Sequence, residues 1–124
     1  MTREILLIDD DEDELEIFSQ ALRAIDKTIQ CTLAKDLEKA KEYFKNNSPA
    51  YVFIDFNMPK ENGPVCLAEL NKIKHIEKSK IVLYSNYINE EMIEKAMALG
   101  AFKCVKKPNM INLLARRLKE ILGS

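Results

Sequence analysis

The four residues YVFI at 51–54 form an apolar run without a polar break, and Asp55 ends it. A run this short predicts a strand buried on both faces of a sheet. Pro59 follows closely and does not fit a central strand, so we expect the strand to give way to a loop near Asp55. A lone aspartate there often only caps a strand or turn, but the carboxyl ends of strands are also where open α/β sheets bind ligands.

Two more apolar runs, at residues 5–8 and 81–84, also predict central strands. Residues 28–33 and 102–106 alternate polar and apolar side chains, which is typical of strands at the edge of a sheet. Apolar residues at helical spacing follow each predicted strand. They are Leu15, Phe18, Leu22 and Ile25, then Leu37, Ala40 and Phe44, then Val65, Leu67, Ala68 and Leu70, then Met92, Ile93, Ala96 and Leu99, and finally Ile111, Leu114, Leu118 and Ile121.

Five strand–helix repeats predict an α/β fold in three layers, with a five-stranded parallel sheet between two layers of helices. The first, third and fourth strands are the apolar ones and therefore belong in the centre. The flavodoxin-like strand order 2-1-3-4-5 places them there. A chain of 124 residues suffices for one core, so we expect residues 1–124 to form a single domain.

Composition excludes several classes of protein. The net charge of −1 gives no electrostatic basis for binding nucleic acid or a membrane surface. We expect no signal peptide, and no apolar run approaches the roughly 18 residues that span a membrane. Cys31, Cys66 and Cys104 lack metal-binding spacing and lie in apolar stretches, so we expect buried free thiols and a cytoplasmic location.

Polar residues that suit phosphoryl transfer end four of the predicted strands. Asp9 and Asp10 follow the first strand, Asp55 the third, Ser85 ends the fourth and Lys107 follows the fifth. Clustered carboxylates repel one another, and Mg²⁺ relieves that repulsion while keeping room for waters and substrate oxygens. A carboxylate nucleophile beside a metal, a lysine and a hydroxyl is a residue set for phosphoryl transfer.

The motifs that carry a family resemblance are Ile8-Asp9-Asp10, Asp55 with Asn57-Met58-Pro59 and Gly63, Ser85, and Lys107-Pro108. Along essentially its whole length the chain resembles a response-regulator receiver domain of the chemotaxis-regulator type. The resemblance implies a two-component signalling domain rather than an enzyme that turns over substrate. It also implies a sensor histidine kinase or a histidine phosphotransfer protein as the phosphodonor.

The resemblance further implies a role for each acidic residue. Asp55 would be the phosphoacceptor and a Mg²⁺ ligand, and Asp10 would bind Mg²⁺ directly. Asp9 would act on the ion mostly through water, and the backbone carbonyl of Asn57 would be a further ligand. Asp11 suits the start of the first helix instead, where an acidic side chain complements the helix dipole.

For the residues after the fourth and fifth strands, the resemblance implies contacts with the phosphoryl group. Ser85 would hydrogen-bond the group, Lys107 would pair with it, and the Lys107–Pro108 bond would be cis. Lys106 stands directly before Lys107 and leaves open which lysine enters the site.

The chain departs from the family pattern at two places. Asn86, followed by Tyr87, stands where a small residue is usual, and its bulk would limit access by water or a phosphatase. Cys104 stands three residues before Lys107, where an aromatic is common, so the usual aromatic switch is not expected.

Two other classes remain open at this stage. A small phosphatase of the haloacid-dehalogenase type would use Asp9 as nucleophile in a D-x-D motif, but Asp55 would then have no role and the chain lacks room for a cap. A binding module with the receiver fold that is never phosphorylated would leave the set of site residues without a purpose.

The resemblance also predicts how a signal would leave the domain. We expect a stand-alone receiver, with no effector domain after the last helix, that acts through a non-covalent partner. The expected output surface is the fourth helix, fifth strand and fifth helix, with Arg116, Arg117 and Lys119 on its exposed side. The alternative is that these charges form an ordinary solvated face.

Overall fold

The computed structural model describes residues 3–60 and 62–123. Within these segments the strands are β1 (Glu4–Ile8), β2 (Gln30–Ala34), β3 (Tyr51–Ile54), β4 (Lys80–Ser85) and β5 (Lys103–Lys106). The helices are α1 (Glu12–Ile25), α2 (Leu37–Phe44), α3 (Gly63–Leu70), α4 (Glu90–Ala98) and α5 (Ile111–Leu122), and a short 3₁₀ turn at Ile76–Lys78 precedes β4. None of the helices in these segments combines the length and the apolar character needed to span a membrane.

The five described strands form one parallel sheet in the order β2-β1-β3-β4-β5, which confirms the predicted flavodoxin-like topology. The strands predicted to be central from their apolar runs are buried along almost their whole length. β2 and β5 lie at the edges, and each mixes exposed with partly or fully buried side chains. The strand order changes direction between β1 and β3, which is where such sheets open a crevice.

Alternate residues of the central strands pack against opposite helical layers, because successive strand side chains point to opposite faces. One layer joins the sheet to α1 and α5 through a core that includes Leu7, Phe18, Phe53, Tyr84, Leu114 and Leu118. The other joins it to α2, α3 and α4 through Leu6, Ile8, Ala40, Val52, Leu67 and Ala96. Helices therefore cover both faces of the sheet.

The second strand begins later than predicted. Oδ1 of Asp26 accepts hydrogen bonds from both the amide and the hydroxyl of Thr28, at 2.9 and 2.6 Å. These bonds form a turn, and the ladder starts only where the amide of Gln30 donates to the carbonyl of Arg3. The prediction that all three cysteines are buried is also only partly right. Cys66 is buried, whereas Cys31 and Cys104 lie on edge strands and are half-buried.

Polar side chains begin four of the helices. Asp11, Asp36 and Asn89 accept hydrogen bonds from amides in the first turns of α1, α2 and α4, which for Asp11 confirms the predicted place at the start of the first helix. Asn62 does the same for α3, whose first turn contains Pro64. Each cap satisfies an amide that the helix itself leaves unpaired.

Candidate functional site

Four polar residues are buried at the carboxyl edge of the sheet. Asp9 follows β1, Asp55 follows β3, Ser85 ends β4, and Lys107 follows β5. Their exposed fractions are 1%, 6%, 0% and 8%, in that order. Because buried charges are costly unless they are paired, this placement demands close partners for each of them.

Lys107 is the counter-charge of the buried cluster. Its Nζ lies 2.7 Å from Oδ2 of Asp9, 3.1 Å from Oδ2 of Asp55 and 3.7 Å from Oε1 of Glu14. The sequence alone does not single out Glu14, because the helix dipole already explains an acidic residue in the first turn of a helix. Three carboxylates therefore surround one ammonium.

The remaining carboxylate oxygens accept hydrogen bonds from the loops that follow the strands. Oδ1 of Asp9 accepts from the amide of Asp11 at 3.0 Å. Oδ1 of Asp55 accepts from the hydroxyl of Ser85 and from the amide of Asn57, both at 2.8 Å. Every oxygen of Asp9 and Asp55 thus has a donor from the protein.

The loop after β3 is held against Ser85 by a hydrogen bond from Phe56, and Gly63 lies close to Phe56. The amide of Phe56 donates to Oγ of Ser85 at 2.9 Å. A Cβ built on Gly63 would lie 2.4 Å from Cγ and 2.7 Å from Cα of Phe56. These distances are too short for any side chain, so the loop requires glycine at position 63.

The pKa values of the charged groups follow from burial and from these contacts. Burial raises the pKa of Asp9 above its ordinary value, although the hydrogen bond from Lys107 opposes the shift. Burial likewise raises the pKa of Glu14, again against the charge of Lys107. For Lys107, burial lowers the pKa, but the hydrogen bond to Asp9 and the charges of Asp55, Asp9 and Glu14 together outweigh it and raise the pKa. The ammonium is therefore charged at neutral pH.

Asp9, Asp10 and Asp55 form an acidic cluster that suits a metal ion. Each offers one carboxylate oxygen, and these oxygens lie within 4.8 Å of one another. Asp10 is exposed, whereas the other two are buried, so the cluster has one side open to solvent. An all-oxygen set of this kind fits a hard divalent cation. The assignment of the Asn57 carbonyl as a further ligand stays a prediction.

The structure decides between the two adjacent lysines. Lys107 is buried and reaches the carboxylates, whereas Lys106 is exposed on the edge strand β5. The Lys107–Pro108 bond is trans, so the expected cis bond is wrong for this structure. Lys107 reaches both Asp9 and Asp55 from the trans arrangement.

Tyr84 is a second residue of the site that the sequence pattern does not predict. Its ring centroid lies 5.4 Å from Nζ of Lys107 and 5.5 Å from the ring of Phe18. Burial raises the pKa of Tyr84, so the phenol remains neutral and the ring stabilises the adjacent ammonium as a cation–π partner. An apolar run can contain such a tyrosine without any signal that it faces a charge.

The rim of the site is formed by the loops after β3 and β4. The side-chain amide of Asn57 donates to the carbonyl of Tyr87 at 3.0 Å and ties the two loops together. Tyr87 is 63% exposed and Asn86 is also exposed. Cys104 stands at the position where an aromatic is common in the family. It is half-buried on β5 and packs against the core shared with α4.

Comparison with known proteins places these features in a family. The chain matches the response regulator receiver domain over residues 5–119. It is 24% identical over 120 residues to a probable chemotaxis protein CheY of Rhizobium etli, covering 97% of this chain and 92% of that protein. It is 27% identical over 120 residues to the regulatory protein AtoC of Escherichia coli, covering 94% of this chain but only 25% of that protein.

A solved structure shows the same fold. The manganese-bound form of the response regulator Rcp1 superposes with a TM-score of 0.78 at 20% identity, covering 96% of this chain and 91% of that one. The chain therefore belongs to the family of response regulator receiver domains, which act in two-component signalling. Neither the phosphatase nor the unphosphorylated module gains support from these matches.

Proposed function

We propose that the chain is one receiver domain over residues 1–124 and that Asp55 accepts a phosphoryl group from a phosphohistidine. The observation that carries this proposal is the setting of the Asp55 carboxylate, which is 6% exposed and lies between the Lys107 ammonium and the Ser85 hydroxyl. A carboxylate oxygen attacks phosphorus, the phosphorus–nitrogen bond breaks, and its electron pair stays on the imidazole of the donor. The donor is a sensor histidine kinase or a histidine phosphotransfer protein.

The acidic cluster supports a role for Mg²⁺ in that transfer. Asp9, Asp10 and Asp55 would hold the ion, with the Asn57 carbonyl as a further ligand. Bound there, Mg²⁺ supplies positive charge to the oxygens of the transferring group. Rcp1, which shares the fold, has been crystallised with Mn²⁺, a cation that favours the same oxygen ligands.

Lys107 and Ser85 then act on the product. The acyl phosphate no longer carries the carboxylate charge at Asp55, so the ammonium of Lys107 pairs with the phosphoryl oxygens instead. In the unphosphorylated protein the hydroxyl of Ser85 donates to Asp55. In the product it would donate to a phosphoryl oxygen instead. Because Ser85 also accepts from the amide of Phe56, its movement changes the loop after β3.

Mass spectrometry of the intact protein tests the proposal. The protein is incubated with Mg²⁺ and acetyl phosphate, and we expect one added phosphoryl group. The addition should be lost in EDTA and in Asp55→Asn. A variant Asp55→Asn that still gains the full phosphoryl mass with Mg²⁺ would contradict the assignment of the acceptor.

We further propose that output uses the surface of α4, β5 and α5. A groove of about 710 Å³ opens beside Lys107 on the part of this surface formed by β5 and α5, and its lining includes Lys106, Arg116, Arg117, Leu113 and Glu120. Leu113 is 39% exposed, and Arg116 and Arg117 are exposed as well. An excess of positive charge with an apolar side chain suits a partner segment that is acidic and partly apolar.

In this proposal the structural change caused by phosphorylation is transmitted from the site to the groove through Ser85 and the backbone, because Cys104 has no aromatic ring that could change its rotamer. The amide of Lys107 donates to the carbonyl of Ser85 at 2.9 Å, which links the ends of β4 and β5 directly. We expect amide chemical shifts in α4, β5 and α5 to change when beryllofluoride and Mg²⁺ are added. Changes confined to the loops around Asp9, Asp55 and Lys107 would contradict this route.

A further inference from the structure

Lys107 occupies oxygens that the proposed reaction needs. Its Nζ is hydrogen-bonded to Oδ2 of Asp9 and to Oδ2 of Asp55. The Oδ1 atoms of the same two carboxylates accept from backbone amides, which the loops hold in place. When Asp9 and Asp55 turn toward Mg²⁺ and a phosphoryl group, the Lys107 ammonium is therefore the donor that must move.

Glu14 offers that ammonium another partner inside the same pocket. Its Oε1 lies 3.7 Å from Nζ of Lys107, the longest of the three carboxylate contacts. The Glu14 side chain is only 15% exposed, and that of Lys107 is 4% exposed. A shift of about 1 Å would bring the ammonium to hydrogen-bond distance from Glu14 without exposing it to solvent.

We propose that Glu14 is a positioning residue for Lys107, holding its ammonium within the pocket when Asp9 and Asp55 bind Mg²⁺. The inference rests on the proposed function, because it assumes that the acidic cluster binds the ion. Without Glu14 the ammonium has no acidic partner other than Asp9 and Asp55 among its ion pairs in the described segments. It then competes with Mg²⁺ for both carboxylates.

The test compares Mg²⁺ dissociation constants, measured by calorimetry, for the parent protein, Glu14→Gln and Glu12→Gln. Glu12 lies in the same first turn of α1 and is exposed, and it pairs with Lys35 rather than with Lys107. Both substitutions remove one negative charge, but only Glu14→Gln also removes a contact with Lys107. We expect Glu14→Gln to weaken Mg²⁺ binding about fivefold and Glu12→Gln by less than about twofold.

A double-mutant cycle shows whether the effect passes through Lys107. In a Lys107→Met background, Glu14→Gln should have only the small effect of Glu12→Gln, because no ammonium remains to be held. Equal effects of Glu14→Gln in both backgrounds would reveal a direct action on the ion and would overturn the inference. So would equal effects of Glu14→Gln and Glu12→Gln in the chain that keeps Lys107.

A second measurement needs no substitution at Lys107, whose loss is expected to destabilise the fold. In the parent protein, nuclear Overhauser contacts between the ε-methylene of Lys107 and the γ-methylene of Glu14 should strengthen when Mg²⁺ replaces EDTA. Unchanged or weaker contacts would overturn the inference. A parent that binds no Mg²⁺ would overturn the proposed metal site itself, and the two failures are therefore distinguishable.

Discussion

The Nζ atom of Lys107 lies 2.7 Å from Oδ2 of Asp9, although 98 positions of sequence separate the two residues. Asp9 follows β1 near the centre of the sheet, and Lys107 follows β5 at its edge. The lysine reaches across the intervening strand ends and neutralises part of a buried acidic cluster. One contact therefore contributes both to the stability of the fold and to the chemistry proposed for the site.

Loss of the Lys107 charge should destabilise the metal-free protein strongly. Lys107→Met leaves the buried Asp9 and Asp55 and the partly buried Glu14 without their shared counter-charge, and we expect a loss of about 3 kcal/mol in the free energy of unfolding in EDTA. The matched variant Lys106→Met changes an exposed lysine and should lie within about 0.5 kcal/mol of the parent. Urea denaturation of both variants measures the difference. Similar losses in both would show that Lys107 is not the central counter-charge.

Asp10 should affect metal binding much more than folding. At ten times the dissociation constant, Mg²⁺ should stabilise the parent by about 1.4 kcal/mol, or roughly 3–6 °C in the melting temperature. In EDTA, Asp10→Asn should melt slightly above the parent because a repulsion with Asp9 and Asp55 is gone, and it should lose most of the Mg²⁺ increment.

Asp13→Asn is the matched control for that experiment, since Asp13 is exposed in the first turn of α1 and lies outside the acidic cluster. It should keep the full Mg²⁺ increment in the same thermal melts. An Asp10→Asn protein that is less stable in EDTA and keeps the increment would mean that Asp10 is structural.

Gly63 should tolerate no side chain. A Cβ at this position would lie 2.7 Å from Cα of Phe56, so Gly63→Ala must move the backbone that holds Ser85. We expect a loss of about 1–3 kcal/mol in unfolding free energy and a shifted amide resonance for Phe56. Val65→Ala, at a position 57% exposed on the same helix, should change neither. An unaltered Phe56 resonance in Gly63→Ala would contradict the contact.

The stability of the metal-free protein should depend on pH through Asp9. Burial raises the pKa of Asp9 above its ordinary value of 3.8. The folded protein therefore binds this proton more tightly than the unfolded chain, and the resulting stabilisation is present below pH 3.8 and is lost as pH rises through the raised pKa. Asparagine does not titrate and so does not lose this stabilisation. In EDTA, the free energy of unfolding of Asp9→Asn should therefore increase relative to that of the parent as the pH rises from 3.8 through the raised pKa. A difference that stays constant with pH, or falls, would contradict the raised pKa.

The central part of the fold could be predicted because its signals are strong and local. Apolar runs without a polar break leave few alternatives to buried strands, and the polar residues that end them then meet at one edge. Their positions in the sequence are therefore enough to predict that Asp9, Asp55, Ser85 and Lys107 lie together. Their roles in phosphoryl transfer are the proposal that experiments must test.

Other features depend on contacts that sequence patterns do not encode. Glu14 looks like an ordinary acidic residue of a first helical turn, and only the approach of Lys107 distinguishes it. Tyr84 sits in an apolar run, yet its ring faces an ammonium. The start of β2 was misplaced because the side chain of Asp26 forms a turn with Thr28, which competes with strand pairing.

Chemical mapping of the modified residue tests the central claim most directly. Borohydride reduces an acyl phosphate to an alcohol, so an aspartyl phosphate becomes homoserine at the position that carried it. After treatment with acetyl phosphate, Mg²⁺ and borohydride, peptide mass spectrometry should locate homoserine at Asp55 and at neither Asp9 nor Asp10. Homoserine at Asp9, or an unmodified Asp55 in protein that has gained the phosphoryl mass, would contradict the account.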